Sequence, residues 1–310
     1  MKILEYNDVD PHKVLYLTQL ALEFPLTPER VAQIRQTDPR PFPCLAVYAV
    51  EDDQVIGQVG VFRLPMVSTE GREDVGGVWA VSTHPQYAGR GVASILLDEA
   101  HERMRQAGLR FSTLGTDRSR VAHKLYRRHG YEETNVLVTA LARWETAHQP
   151  TRLRATPPGP EGYDLVDGIF ANIAKDYLGF AWRHTPFARL RRVELADIWI
   201  LWENRHMVGY ALTHADPTLL AISNLALQQG IDAAEAVAAV AAELKSAYVQ
   251  VRISRPVERL SLRSAGYHVA SPSWSSFMVK PLVPEVTYED ARRLFGIGTD
   301  HFLISWLDVT

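Results

Sequence analysis

A chain of 310 residues, 46% of them hydrophobic, is long enough to bury two cores, each serving a domain of about 150 residues. Thirty-three basic against thirty-six acidic residues give a net charge of −3, which supplies no general electrostatic attraction for nucleic acid or a membrane surface. The single cysteine, Cys44, excludes an intrachain disulfide and a multi-cysteine metal site; with no long apolar run and no charged-then-apolar leader, the sequence reads as a soluble cytoplasmic protein.

In chain order, Lys2 to Tyr6 reads as a strand and Pro11 to Phe24 as a helix. Thr27-Pro28-Glu29 opens a second helix, with a threonine cap, proline at the first position and an acid in the first turn. Cys44 to Val50 and Val55 to Leu64 form a hairpin around Glu51-Asp52-Asp53-Gln54, and Ser68 to Asp74 reads as a polar loop. A β-rich run from Val78 breaks at His84-Pro85, and an amphipathic helix follows from Gly91 to Ala107 with Val92, Ile95, Leu96 and Met104 on one face. Arg110 to Thr116 is a strand, Ser119 to His129 a helix and Glu132 to Trp144 a final strand. Proline and glycine punctuate Glu145 to Gly162, which marks a linker, interrupted by a short strand at Arg152 to Ala155. Two domains, 1–147 and 148–310, follow from this division.

Directly before the helix at Gly91 stands Gln86-x-x-Gly89-x-Gly91. A helix start leaves backbone NH groups unpaired and carries partial positive charge, and glycines in the preceding turn let phosphate oxygens approach the backbone. Further on, Ala122, Leu125, Tyr126, Gly130 and Tyr131 are spaced as A-x-x-L-Y-x-x-x-G-Y. This pair of motifs resembles the GNAT acyltransferase superfamily over roughly residues 1–145, where R/Q-x-x-G-x-G/A follows the fourth strand and the second signature comes later. The run Gly76-Gly77-Val78-Trp79-Ala80-Val81 is similar to Eis-like (enhanced intracellular survival) acetyltransferases. The element order βααβββαβαβ is the order of a GNAT domain.

The resemblance implies an α/β (α+β) fold and an N-acetyltransferase moving an acetyl group from acetyl-CoA to an amine, either a small molecule or a lysine side chain. It implies backbone contacts to the pantetheine arm and carbonyl from Val81 and Thr83, and a phosphate cradle of Gln86, Gly89, Arg90, Gly91, Val92 and Ala93. Ala88 stands where many Eis-like sequences carry a second arginine, which shifts phosphate binding toward backbone donors. Tyr126 is the candidate general acid: a phenol, with an unperturbed pKa of about 10 against about 8.5 for a thiol, can protonate a departing thiolate and stay protonated at neutral pH. His84 beside Pro85 reads as structural, and the acids Glu23, Asp38, Glu70 and Asp74 lie on elements that form the acceptor wall in GNAT folds. No metal is expected, because His184, His206, His214, His268 and His301 lack ligand spacing. Ending at Thr310, the chain is too short for the sterol-carrier-like tail of Eis-like enzymes, whose terminal carboxylate reaches the active site.

Beyond the linker the same grammar restarts. Tyr163 to Phe180 and Thr185 to Val193 read as helices; Ile198 to Glu203, Met207 to Thr213, Leu219 to Leu227 and Tyr248 to Ile253 as strands; and Ala233 to Lys245 as an alanine-rich helix that packs on the core, the first domain or a second subunit. Val55-Ile56-Gly57 matches Met207-Val208-Gly209, and Val121, Gly130 and Tyr131 match Val257, Gly266 and Tyr267. Residues 225–236, LALQQGIDAAEA, contain no cradle, and Leu262 replaces the tyrosine. The reading is two tandem GNAT domains, the second degenerate and structural or acceptor-shaping. Its aromatic residues Tyr177, Phe180, Trp182, Trp199, Trp202 and Trp274 are candidates for a ligand groove, with Trp199 and Trp202 better suited to a core. Two alternatives stand beside this: a mycothiol-synthase-type arrangement with a catalytic second domain, and a non-catalytic CoA-binding or scaffolding module. A homo-oligomer is left open.

Overall fold

The computed structural model describes residues 1–134, 136–183, 193–271, 276–305 and 308. The expected helix at Thr185 to Val193, along with His184 and Trp274, lies wholly or almost wholly outside them. In chain order the strands are β1 (Lys2–Glu5), β2 (Pro41–Glu51), β3 (Gln54–Ser68), β4 (Gly71–Thr83), β5 (Phe111–Thr116), β6 (Glu132–Glu133), β7 (Val138–Arg143), β8 (Leu153–Thr156), β9 (Leu178–Gly179), β10 (Ile198–Glu203), β11 (His206–Ala215), β12 (Leu219–Leu227), β13 (Tyr248–Ile253), β14 (His268–Ala270), β15 (Ser276–Pro281) and β16 (Phe302–Leu303). The helices are α1 (Pro11–Leu22), α2 (Pro28–Thr37), α3 (Val92–Gln106), α4 (Val121–Arg128), α5 (Trp144–Ala147), α6 (Gly162–Ile173), α7 (Ala233–Glu243), α8 (Pro256–Ser264) and α9 (Tyr288–Phe295).

Local chemistry sets most of these bounds. Asp10 caps α1, which ends where Glu23 turns left-handed at φ 53°, and the Thr27 hydroxyl caps α2 with Pro28 at its first position. The Ser68 to Asp74 segment is not a loop: β3 and β4 run on as one long hairpin with only Thr69 and Glu70 between them. Its polar tip is solvated and braced by Arg110 with Glu70 and Glu73, so polarity there marks exposure and not irregular backbone.

The strands form two sheets, mostly antiparallel, each flanked by helices. The first runs β1-β2-β3-β4-β5-β15-β6, with β9 and β16 attached at the far end of β3; the second runs β14-β7-β13-β12-β11-β10-β8. On the first sheet, α1 and α2 cover one face around Val14, Leu17, Leu26 and Tyr48, and α3 and α4 the other around Val92, Leu96, Met104 and Tyr126. Ile95, expected on the buried face of α3, is 43% exposed, and Leu97, Ala100 and His101 complete that face instead.

Each sheet borrows from the other half of the sequence. The expected single strand from Glu132 to Trp144 is two: β6 stays in the first sheet, while β7 pairs with β13 and β14 in the second. In return β15 slots between β5 and β6. The crossing segment hides from pattern reading because Val136 and Leu137 are themselves buried, packed with Phe277, Phe295 and Phe302. Thr134 donates to the Phe277 carbonyl (3.0 Å) and Arg259 to that of Val136 (2.6 Å), which ties the crossing down. A cut after residue 147 would therefore take β7 from the second sheet and β9, β15 and β16 from the first.

Candidate active site

The β3–β4 pairing holds a bulge. Gly60 faces Trp79 and Gln58 faces Ser82, so one extra residue is packed into β4, and Ala80 takes the left-handed φ of 49°. That conformation is strained for a residue with a Cβ and needs support from its surroundings. Support comes from Gln58, 1% exposed, whose side-chain amide donates to the Ala80 carbonyl at 3.1 Å. The Trp79 ring lies over Gly60, where a Cβ would meet it at 2.2 Å, and stacks on Phe62 at 4.9 Å.

On its other edge β4 parts from β5. The two are paired in parallel only at Gly76 with Ser112 and Gly77 with Thr113, leaving Val78 to Thr83 splayed away. His84 donates its NH to the Ile56 carbonyl on the β3 side (2.8 Å). Alternation along a strand then turns the NH groups of Thr83 and Val81 toward the splay. The Val81 side chain packs in the same cluster as Val92, Leu125 and Tyr126. Splayed backbone and the Tyr126 helix thus meet around one apolar patch.

Past β4 the chain makes a short 3-10 turn, Pro85–Tyr87, in which the His84 ring accepts from the Gln86 NH at 3.3 Å. His84 is 9% exposed, and this capping bond gives it a structural place. Gly89 and Gly91 follow at φ 78° and 79°, and an added Cβ at either would meet nothing within 4 Å. Glycine is needed there for backbone conformation, with open space in front. The NH groups of Tyr87, Ala88 and Arg90 are used within the turn, and the first helical bond runs from Ile95 to the Gly91 carbonyl. No side chain among the described residues caps α3. Among the described residues, the NH groups of Gly89, Gly91, Val92, Ala93 and Ser94 thus stand at and just before the helix start without an acceptor, an arrangement suited to a phosphate group. Left-handed glycines, open space and orphan donors together fit the pyrophosphate of an acyl-CoA.

The Arg90 guanidinium sits elsewhere: it pairs with Glu51 at 2.8 Å and lies over the Tyr87 ring. A side-chain phosphate contact would first have to break that pair. Glu51 was not among the residues singled out from sequence, because its partner is 39 positions away.

Tyr126 is 6% exposed on α4, edge-on to Tyr131 at 5.9 Å. Burial raises its phenol above the ordinary range, so it stays protonated through neutral pH and remains a proton donor. Of the four acids considered for the acceptor wall, Asp38 is buried in a bidentate pair with Arg40 (2.8 and 2.7 Å), Glu70 pairs with Arg110 at 3.0 Å and Asp74 with Arg63 at 3.7 Å. Glu23 is exposed at the end of α1. The structure brings none of them to the splay as a partnerless carboxylate.

A buried network clamps the borrowed strand to α3. The Lys280 ammonium donates to His101 Nδ1 (3.3 Å), His101 Nε2 meets the Tyr131 hydroxyl (2.9 Å), and that hydroxyl meets Ser112 Oγ (2.7 Å). Asp98, His101 and His129 lie near enough to share an ion, but both nitrogens of His101 are committed and one faces an ammonium. Burial, with Lys280 beside it, lowers the His101 pKa to about 3, so the ring is neutral.

The second sheet repeats the layout with different contents. β12 and β13 pair in parallel only from Leu219 to Ile222 and then part. Here the helix start is closed: Asp232 accepts from the Glu235 NH and Ser261 from the Ala234 NH, both at 3.0 Å. The cleft beyond is lined by Asn224, Arg252, Ile304 and Ser305, and it holds the buried pairs Arg183–Asp308 (3.2 Å) and Arg255–Glu258 (2.8 Å). Of the aromatic candidates for a ligand groove, Trp199 is core, Trp202 donates to Thr156 and the Tyr177 hydroxyl meets Arg255.

Residues 2–134 match the family model described as an acetyltransferase (GNAT) domain. No curated protein matches the sequence. Among solved structures, a GCN5-related N-acetyltransferase from Anabaena variabilis is similar over 91% of this chain and 73% of its own, at TM-score 0.67 and 15% identity. A conserved protein of unknown function from Enterococcus faecalis, a probable N-acyltransferase, gives 0.70 and 12% over 91% and 71%. Eis1 from Mycobacterium abscessus gives 0.60 and 14% over 91% and 74%. The two-sheet architecture is consistent with two tandem domains, and the chain has the GNAT fold with a GNAT acetyltransferase domain within residues 2–134.

Proposed function

We propose that the first half transfers an acetyl group from acetyl-CoA to a primary amine by direct attack, and that the second half is structural or shapes the acceptor site. One observation carries this reading: five backbone donors at the start of α3 have no acceptor among the described residues, beside a splayed β4 and a protonated, buried Tyr126. The co-substrate supplies an activated acyl thioester. Gly89, Gly91, Val92 and Ala93, with Gln86, would hold its pyrophosphate through main-chain NH groups, and Arg90 would join them once released from Glu51. Val81 and Thr83 would hold the pantetheine arm and the thioester carbonyl, where two donors aimed at developing negative charge lower the barrier. Tyr126 gives a proton to the departing sulfur, and an Eis-like division of labour between the halves fits the sealed second helix start. No helix among the described residues is long and apolar enough to cross a membrane, and we place the enzyme in the cytoplasm with its co-substrate.

The test is a screen of acetyl-CoA against amines of several classes, small polyamines and lysine peptides included, read by thiol release. Turnover with at least one class, lowered in Tyr126→Phe, is expected. Absence of acetyl-CoA affinity in the wild type, or unchanged turnover in Tyr126→Phe across the pH range, overturns the reading. Binding without turnover on any amine supports a non-catalytic CoA-binding module instead.

A further inference from the structure

Around the β4 bulge, four buried polar atoms have no hydrogen-bond partner among the described residues: the Tyr48 hydroxyl, Gln58 Oε1, Trp79 Nε1 and Ser82 Oγ. Three of them form a row. Tyr48 on β2 pairs directly with Gln58 on β3, and Gln58 pairs directly with Ser82 on β4. Directly paired residues share a face of the sheet, so the three side chains stand side by side, at 0%, 1% and 6% exposure. That face is the one covered by α1, because Tyr48 packs with Val14 and Leu17. Val81, next to Ser82, packs on the opposite face with α3.

A buried polar atom left without a partner destabilises a fold, and native structures keep few of them. Three in register across adjacent strands call for a use. The molecule carries its own comparison: Gly57 pairs with Thr83 and Gly209 with Leu227, so the second-half counterparts of Tyr48, Gln58 and Ser82 are Ile200, Tyr210 and Ala226. Those three residues belong to an apolar cluster, and Tyr210 has Arg183 as a partner. The polar row is present only in the half that has the glycine turn and the uncapped helix.

We propose that Tyr48, Gln58 and Ser82 hold buried water that carries away the proton of the attacking amine. This rests on the acetyltransferase reading of the same half. Ser82 stands between Val81 and Thr83, whose NH groups face the splay, and on the face opposite the cradle helix. As the nitrogen–carbon bond forms and the carbon–sulfur bond breaks, the nitrogen loses one proton and the sulfur gains one. Tyr126 serves the sulfur and recovers its own proton from solvent; the nitrogen's proton passes to water at Ser82, is handed from water to water along the row to Tyr48, and is released to bulk solvent past Tyr6, whose ring lies 6.2 Å from that of Tyr48. The row offers hydroxyl groups that both donate and accept, an amide oxygen that accepts and, at its edge, an indole NH that donates, enough to hold a water by two or more bonds. None of these groups changes charge, and burial keeps the Tyr48 phenol protonated. They are positioning residues.

The experiment compares the full chain with Tyr48→Phe, Ser82→Ala and the double variant, by thermal melting, oxygen-17 water relaxation dispersion, acetyl-CoA binding and turnover with the best amine. Expected are a melting midpoint equal to or above wild type, loss of a long-lived internal water in the double variant, acetyl-CoA affinity within twofold, and kcat lowered about tenfold or more with an altered solvent deuterium effect. Unchanged kcat, an unchanged water signal, or a fall in midpoint that accounts for the activity lost overturns the proposal. A wild type without acetyl-CoA affinity is a separate result: it overturns the acetyltransferase reading, and the proton outlet with it.

Discussion

The two sheets share one plan and differ where chemistry would occur. In the first, the helix start beyond the splayed strand is uncapped and preceded by two left-handed glycines; in the second, Asp232 and Ser261 close the same backbone donors. An aspartate cap supplies from within the chain the anion that a phosphate would otherwise bring. The first bulge is forced into a left-handed alanine and held by Gln58, whereas β12 has its irregularity near Ser223 with no residue at positive φ. Tyr131 has two polar partners, while its counterpart Tyr267 has a buried hydroxyl with none among the described residues. A fold keeps its layers through apolar pattern alone, but a site has to be kept by individual polar residues.

The comparison breaks most sharply at Tyr126. Replacing it with phenylalanine keeps the ring packing and should lower kcat by about 10²-fold or more, the usual contribution of a general acid, with acetyl-CoA affinity little changed. Equal rates would place the two halves on the same footing.

The next effect concerns the clamp that only the first half has. His101 is held neutral, its pKa lowered to about 3 by burial and then by Lys280, against about 6.5 in the unfolded chain. Between those values the unfolded state binds more protons, so this contribution to stability is complete above about pH 6.5 and is lost as pH falls toward 3, at up to about 1.4 kcal/mol per unit. His101→Gln should flatten that slope in melts from pH 7 to pH 4; an unchanged slope would remove the clamp from the account.

Smaller still, Asp232→Ala should destabilise the protein by about 1 kcal/mol, the value of a helix cap, and leave acetyl-CoA affinity unchanged. Glu51→Gln should free Arg90 and raise acetyl-CoA affinity by no more than about fivefold, fading with added salt, as expected for a half-exposed ion pair. Loss of affinity in Asp232→Ala would contradict the division between the halves.

Much of the plan was legible from residue order. The turn glycines, the helix they precede and the second helix with Tyr126 declare themselves because their spacing is local, and the rewritten loop at 225–236 is visible by simple alignment of the halves. The strand exchange is not legible, since Val136-Leu137 continues an apolar run and only pairing shows which sheet receives β7. The hairpin tip at Ser68 to Asp74 misleads because exposed strand ends are as polar as loops. Gln58 could have been noticed as a polar residue inside the apolar run VIGQVGV, yet its role depends on Ala80, 22 positions on. The residues from Ser276 onward gave no element from pattern, although they hold β15 and α9.

The central claim, one cofactor site located in the first half, is tested most directly by calorimetric titration of acetyl-CoA into the wild type and into Gly91→Val. A β-branched residue at φ 79° strains the turn by about 1–2 kcal/mol and puts a side chain where the phosphate would lie. The account predicts one molecule bound per chain and affinity lowered at least about tenfold in the variant. Two molecules bound per chain, or undiminished binding in Gly91→Val, would contradict it.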